Sequence, residues 1–99
     1  MNGVTPRISV VVPVYNEAGN VRPQLLEIGH ALAERRAWEI IYVDDGSQDG
    51  TRDELRAAQL AEPRLRVMHH AKRCGQSSAL LTGVRAARAP WIITLDGDG

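Results

Sequence analysis

The sequence ends on Asp96-Gly97-Asp98-Gly99, in which two acidic residues stand two positions apart. In an extended chain, residues at this spacing point their side chains the same way, so the two carboxylates converge. Converging carboxylates repel each other unless a cation or a proton joins them. Oxygen ligands of this kind suit Mg²⁺ or Mn²⁺ bridging to phosphate oxygens. Taken alone, however, the pattern favours a turn, because Asp-Gly pairs commonly form turns.

Three further polar clusters each follow a short apolar run. They are Pro13-Val14-Tyr15-Asn16-Glu17, Asp44-Asp45-Gly46-Ser47 and the loop from His69 to Gly75. A carboxylate at Asp45 can accept a hydrogen bond from a nucleobase N–H or a ribose hydroxyl, and a ring at Tyr15 can stack on a base. Turn and helix-start chemistry explains Asn16 and Glu17 equally well.

Two other polar segments have simpler interpretations. We assign Asp49-Gly50-Thr51 to structure, at the start of a helix. We interpret His69 and His70 as a solvated loop, because they lack acids or cysteines at metal-ligand spacing.

The elements that position these clusters follow from hydrophobic periodicity. β-Branched apolar runs predict strands over 8–12, 39–43, 65–68 and 91–95. Val21, Leu25, Ile28 and Leu32 fall on one face of a first helix. Thr51 and Glu54 match a capping box, and the helix they begin should reach about Glu62, because Pro63 follows.

A third helix is predicted over 76–88. Leu80, Val84 and Ala87 would form its apolar face, and Gly83 would allow close packing on the sheet.

This alternation of strands and helices predicts an α/β fold, a Rossmann-like parallel sheet with helices on both faces. The expected strand order is 3-2-1-4, with ligands bound beyond the carboxyl ends of the strands at the switch between strands 1 and 4. All four polar clusters fall at that end of the sheet. Strand 91–95 would be an exposed apolar edge, so we expect either a homo-oligomer through it or a poorly stable monomer.

Length and composition fit one domain over residues 1–99, with 43% hydrophobic residues and no net charge. No basic stripe suggests a nucleic-acid partner. The single cysteine, Cys74, excludes an internal disulfide. No signal peptide or bilayer-length apolar run is visible, and we expect a soluble, cytoplasmic chain.

Together the four motifs resemble the inverting family-2 glycosyltransferases of the GT-A fold, and most closely the dolichyl- and polyprenyl-phosphate sugar transferases. The resemblance extends from Ile8 to Gly99. The matching residues are Val12 to Glu17, Val43 to Ser47 with Asp49 to Thr51, Gly75 to Leu80 with Gly83, and Leu95 to Asp98.

The resemblance implies a donor site. Nucleotide-binding residues would be Pro13, Tyr15, Glu17, Val43, Asp45 and Asp96. Asp96 and Asp98 would hold Mg²⁺ or Mn²⁺. The donor would be a nucleotide-diphosphate sugar such as GDP-mannose or a UDP-sugar, and the acceptor a lipid phosphate. The parent protein would act at the cytoplasmic face of a membrane.

The sequence also departs from the family in two ways. Arg73 stands where relatives often carry Asn, either to reach a phosphate or simply to be solvated. The family continues past Asp98 to its acceptor site and general base, so no catalytic residue is identified here. We expect the 99-residue chain to be the nucleotide-sugar-binding half of the domain, cut off at this motif. By itself it should show little transferase activity.

The alternative function is a non-catalytic nucleotide-binding α/β module. A dehydrogenase would need Gly-x-Gly-x-x-Gly after the first strand, where this chain has Pro13-Val14-Tyr15-Asn16. A P-loop lysine motif is absent as well. A response-regulator-like reading leaves Asp96-Gly97-Asp98 unexplained.

Overall fold

The computed structural model describes residues 5–35 and 37–95. Strands and helices alternate along the chain, as the periodicity predicts. They are β1 (Ile8–Val14), α1 (Val21–Ala31), β2 (Trp38–Asp44), α2 (Thr51–Ala61), β3 (Leu65–His69), α3 (Gln76–Ala86) and β4 (Trp91–Thr94). The third helix ends two residues earlier than predicted.

The four strands form one parallel sheet in the order β3-β2-β1-β4, which confirms the predicted order 3-2-1-4. The two central strands are almost wholly buried, because helices cover both faces of the sheet. All strands run the same way, so their carboxyl ends, and the loops that leave them, lie at one end of the sheet.

Alternation along the central strands divides the core into two layers. The layer on the α1 and α2 face contains Val10, Val12, Val14, Ile40 and Tyr42 of the sheet with Val21, Ile28, Leu32 and Leu55 of the helices. The layer on the α3 face contains Val11, Ile41, Val43 and Ala79. The predicted apolar face of α1 is therefore confirmed.

Helix α3 approaches the sheet through small residues. A methyl group added at Gly83 would collide with the side chain of Val11, which confirms the close packing predicted there. The predicted apolar face is wrong in one position, because Val84 is exposed while Leu80 and Ala87 pack on the core. Ala79 and Gly83, one turn apart, form the contact line instead, since small side chains let the helix backbone come closest.

Strand β4 pairs with β1, and all four of its residues are exposed. Trp91 is 71% exposed, and Ile92 and Ile93 are also open to solvent. The exposed apolar edge is thus present in the described residues, whereas self-association through it stays a prediction. No helix among residues 5–35 and 37–95 is long and apolar enough to cross a membrane.

Candidate functional site

The loops after β1 and β2 are joined by reciprocal hydrogen bonds at the carboxyl end of the sheet. The backbone N–H of Asn16 donates to Ser47 Oγ at 2.8 Å, and the N–H of Gln48 donates to Asn16 Oδ1 at 2.9 Å. Asn16 adopts a left-handed backbone (φ 50°), a conformation that asparagine tolerates better than most residues. The Asn16 side chain therefore fixes the shape of both loops.

Thr51 and Glu54 do not form the predicted capping box. Helix α2 has no side-chain cap, and both side chains turn to the loop after β1. Thr51 Oγ1 accepts the N–H of Glu17 at 2.8 Å, and the Glu54 carboxylate accepts the N–H groups of Gly19 and Arg22 at 2.8 and 3.3 Å. The start of α1 brings these backbone N–H groups close to Thr51 and Glu54, which accept from them instead of from the N–H groups of a capping box.

Asp49 supports the same junction, which agrees with its assignment to structure. Its carboxylate accepts hydrogen bonds from the hydroxyl and N–H of Thr51 and a longer one from the N–H of Ala18. The hydrogen bonds from Thr51 are the main reason why the pKa of Asp49 lies below its usual value.

Asp45 anchors the loop that leads into α3. Its side chain is only 4% exposed. Oδ1 accepts the N–H of Cys74 at 2.8 Å and lies 2.8 Å from His70 Nδ1, while Oδ2 accepts the N–H of Gly75 at 2.9 Å. Burial alone would raise the pKa of Asp45, but these hydrogen bonds outweigh burial and lower it. Asp45 is therefore a carboxylate at neutral pH.

The interpretation of the histidines as a solvated loop is wrong for His70, whereas His69 is exposed but is the last residue of β3 and not part of a loop. His70 is 15% exposed, and its ring bridges Asp45 Oδ1 and Thr82 Oγ1, each at 2.8 Å. His69 Nδ1 lies 3.3 Å from the carboxylate of Asp44. Asp44 and His69 are register partners in the parallel pair of β2 and β3, so the two acids meet the two histidines where these strands end.

Gly46 lets the loops after β2 and β3 touch. Its backbone has φ 76°, and a Cβ atom there would lie 2.5 Å from backbone atoms of Lys72 and Arg73. A side chain is excluded both by backbone conformation and by space. The contact places the Arg73 backbone beside the loop that carries Asp45.

A cavity of about 170 Å³ opens between these loops. Its lining residues are Pro13, Val14, Tyr15, Glu17, Asp45, Arg73, Gln76 and Ala79. The guanidinium of Arg73 lies over the ring of Tyr15, 4.2 Å from its centroid, and forms one wall. The cavity thus combines an aromatic ring, two carboxylates and a guanidinium.

The structure brings four of the predicted nucleotide-binding residues to this cavity: Pro13, Tyr15, Glu17 and Asp45. Val43 is not among them, because alternation along β2 points its side chain toward α3, where it is 0% exposed. Asp96 and Asp98 lie outside the described residues. Leu95, the last described residue, donates its N–H to the carbonyl of Val11 at 2.9 Å, so the chain reaches this point alongside β1.

Sequence reasoning left Arg73 open between a phosphate contact and simple solvation, and it gave no role to Gln76 or Ala79. The cavity includes all three. Their position in the sequence could have predicted this, since they follow β3 and therefore lie at the end of the sheet where the other motifs lie.

A larger groove of about 510 Å³ lies between α1 and α2. It is lined mainly by apolar side chains, including Leu25, Leu26 and Ala58. Its one tie to the motifs is Glu54, whose carboxylate already accepts two backbone N–H groups. The smaller, polar cavity, where the motifs converge, is therefore the candidate functional site.

A solved structure shares this architecture. The mannosyltransferase PcManGT from Pyrobaculum calidifontis, solved in complex with GDP-Man and Mn²⁺, superposes with a TM-score of 0.74 and 33% sequence identity, over 86% of this chain and 25% of that one. The fold is thus a Rossmann-like parallel sheet with helices, of the kind found in GT-A-fold glycosyltransferases.

Sequence comparisons agree. The model of the family described as glycosyl transferase family 2 matches residues 9–99, and the chain belongs to that family. A dolichol-phosphate mannosyltransferase of Mycosarcoma maydis is 35% identical over 99 residues, covering 95% of this chain and 34% of the relative. A dolichyl-phosphate β-glucosyltransferase of Trichomonas vaginalis is 36% identical over 96 residues, covering 90% and 28%. The chain therefore spans about a third of the length of these relatives.

Proposed function

We propose that this chain is the donor-binding part of a glycosyltransferase that uses a nucleotide-diphosphate sugar, GDP-mannose or a UDP-sugar, and a polyprenyl-phosphate or similar lipid-phosphate acceptor at the cytoplasmic face of a membrane. In the whole enzyme, the acceptor phosphate oxygen would form a bond to the anomeric carbon while the bond from that carbon to the diphosphate breaks. The nucleoside diphosphate would leave with the electron pair.

The observation that carries the proposal is the convergence of Pro13, Tyr15, Glu17 and Asp45 on one polar cavity. Pro13 lies at the carboxyl end of β1, Tyr15 and Glu17 lie in the loop after it, and Asp45 directly follows β2. A parallel sheet with this strand order binds ligands at that end. The names of the relatives support a sugar donor and a lipid-phosphate acceptor.

The hydrogen-bond capacity of the carboxylates fits a nucleoside. An ionised carboxylate offers about four acceptor positions. Asp45 uses three of them within the protein, which leaves one for a base N–H or a ribose hydroxyl. Glu17 accepts one hydrogen bond, from the Asn20 side chain at 3.2 Å, and also lines the cavity. Arg73 adds a positive charge for a phosphate at the rim.

Asp96 and Asp98 would hold a Mg²⁺ or Mn²⁺ ion, which supplies positive charge to the leaving diphosphate. Hard oxygen ligands favour these ions, and the relative solved with GDP-Man also contains Mn²⁺. Asp96 would in addition contact the nucleotide.

A non-catalytic nucleotide-binding module remains the second candidate function. It shares the cavity and differs in chemistry, so binding and transfer must be measured separately. We expect the 99-residue chain to bind the donor nucleotide and to show little transfer to a polyprenyl phosphate. Efficient transfer by this chain would contradict that expectation.

Calorimetric titration with GDP and with UDP, each with and without Mn²⁺, tests the donor site. We expect saturable binding that Mn²⁺ strengthens. Asp45→Asn should weaken binding about tenfold, since a hydrogen bond to a charged group contributes roughly 1.5 kcal/mol or more. Asp98→Ala should abolish the effect of Mn²⁺.

The matched control is Asp53→Asn, which makes the same change at an exposed position in the first turn of α2. It should bind nucleotide like the unmodified chain, and circular dichroism should show all variants folded. Equal affinities for Asp45→Asn and Asp53→Asn would remove Asp45 from the site. A Mn²⁺ effect that survives Asp98→Ala would remove Asp98.

A further inference from the structure

Three side chains of different chemistry meet beside the candidate cavity. The cluster consists of the Asp45 carboxylate, the His70 imidazole and the Cys74 thiol, whose ligand atoms all lie within 4.8 Å of one another. Asp45 follows β2, whereas His70 and Cys74 belong to the loop after β3. Nothing in donor binding requires a thiol or an imidazole at this point, so the cluster needs its own explanation.

We propose that Asp45, His70 and Cys74 form a binding site for Zn²⁺ or a similar borderline-soft cation. Thiolate, imidazole and carboxylate are the ligands that Zn²⁺ takes in proteins, whereas Mg²⁺ and Mn²⁺ prefer oxygen ligands. Ligand type therefore separates this site from the pair Asp96 and Asp98. The proposal does not depend on nucleotide binding.

The distances suit a tetrahedral ion with little movement. With metal–ligand bonds of about 2.0–2.3 Å, neighbouring ligand atoms lie roughly 3.3–3.8 Å apart. Asp45 Oδ1 and His70 Nδ1, now 2.8 Å apart, would separate slightly to admit the ion. Cys74 is exposed and its sulfur donates to the carbonyl of Lys72 at 3.3 Å, so the thiol would exchange this contact for the ion.

The loop scaffold survives this exchange. Asp45 keeps the N–H groups of Cys74 and Gly75 as donors, because the ion replaces only the proton between Oδ1 and His70 Nδ1. In the neutral imidazole that proton moves to Nε2 by exchange with solvent, and the thiol proton of Cys74 passes to solvent. Since Cys74 lies at the surface, solvent water can take the fourth coordination position.

Thr82 supplies the support that a histidine ligand needs. Its hydroxyl lies 2.8 Å from His70 Nε2 and can either donate or accept. With an ion on Nδ1, the Nε2–H group donates to Thr82 and holds the ring in the ligating orientation. Partners of this kind commonly change metal affinity by about 10- to 100-fold.

Titration of the 99-residue chain with Co²⁺, followed by displacement with Zn²⁺, tests the site. Cys74 is the only cysteine, so a thiolate-to-cobalt charge-transfer band reports on this residue alone. We expect the band at one Co²⁺ per chain and its loss on adding Zn²⁺. Cys74→Ser should abolish it, His70→Gln should weaken Co²⁺ binding at least tenfold, and Thr82→Val should weaken it about tenfold.

Asp98→Ala is the matched control and should keep the band, because it alters the oxygen-ligand pair only. Circular dichroism of each variant distinguishes loss of the site from loss of folding. The absence of a charge-transfer band in the unmodified chain would overturn the proposal. So would a stoichiometry of one ion per two chains with dimerisation in light scattering, since the ion would then be shared through Cys74 between molecules.

Discussion

Each end of the sheet contains a buried acid that accepts three hydrogen bonds, yet the two acids have different surroundings. At the carboxyl end, Asp45 holds the start of α3 through the N–H groups of Cys74 and Gly75. At the amino end, Glu39 holds the segment after α3 through the N–H of Arg88, at 2.9 Å. The same helix is therefore tied at both ends by a carboxylate from β2 or from the loop directly after it.

The partners of the two acids differ. Glu39 accepts from Ser9 Oγ at 2.6 Å and from the Arg66 guanidinium at 3.0 Å, which also donates to the carbonyl of Ala86. Ser9 in turn accepts the N–H of Ala89. This network is closed among protein groups, whereas Asp45 lines an open cavity and pairs with a histidine. A buried acid becomes a candidate ligand-binding group only where an opening and spare acceptor capacity accompany it.

The largest effect on stability is expected from replacing Glu39, at the amino end of the sheet. Glu39→Ala should lower the free energy of unfolding by about 3 kcal/mol, because it leaves the Arg66 guanidinium, the Ser9 hydroxyl and a backbone N–H without their acceptor. This value is at the lower end of the cost usually found for removing one partner of a buried ion pair, since the Arg66 side chain is 27% exposed and can turn to solvent. Urea unfolding measures the change.

Nucleotide affinity should distinguish the two acids as well. Under conditions where Glu39→Ala remains folded, its affinity for GDP or UDP should equal that of the unmodified chain, whereas Asp45→Asn should lose affinity. A parallel loss in both variants would mean that the two ends of the sheet are not independent.

Lowering the pH should reduce the stability that Glu39 and Asp45 contribute at the two ends of the sheet. The pKa of Glu39 is lowered because hydrogen bonds from Ser9, Arg88 and Arg66 outweigh the effect of burial, and the pKa of Asp45 is lowered similarly. A lowered folded-state pKa gives stability that is fully present above the unfolded values of 4.5 and 3.8 and is lost as the pH falls through the folded values.

The measurement is unfolding free energy against pH below about 5. Glu39→Gln and Asp45→Asn should each flatten the decline, because each removes one titrating group. A decline of unchanged slope in both variants would assign the acid sensitivity to other carboxylates.

The smallest effect on stability is expected at β4, which belongs to neither network. Trp91→Lys should change the free energy of unfolding by no more than about 0.5 kcal/mol, because the Trp91 side chain is already 71% exposed. The same change should suppress self-association through the edge strand, since a lysine on an edge opposes strand pairing. Light scattering at high protein concentration measures this, and a monomeric unmodified chain would refute the expected association.

Much of the fold was predictable because its determinants are local. Apolar runs such as 8–12 and 39–43 mark buried strands, and the helical spacing of Val21 and Ile28 marks the buried face of α1. The position of Tyr15 and Asp45 directly after such strands then predicts their meeting, because parallel strands share one carboxyl end.

Other features needed the packed structure. Glu54 accepts hydrogen bonds from residues more than 30 positions away, so its local resemblance to a capping box was misleading. The orientation of Val84 depends on how closely Gly83 approaches Val11. The Arg73 guanidinium over the Tyr15 ring joins the loops after β1 and β3, and the close contact at Gly46 helps to place the second of these loops.

The sequence by itself determined the order of the strands and the end of the sheet at which the polar residues gather, because hydrophobic periodicity and the chirality of crossovers are properties of short segments. Only the tertiary structure decided what each polar residue does there. Hydrogen bonds between distant loops commit Thr51 and Glu54 to structure and hold His70 against Asp45, which lines the cavity. Such partners are set by geometry across the sheet, which no local pattern encodes.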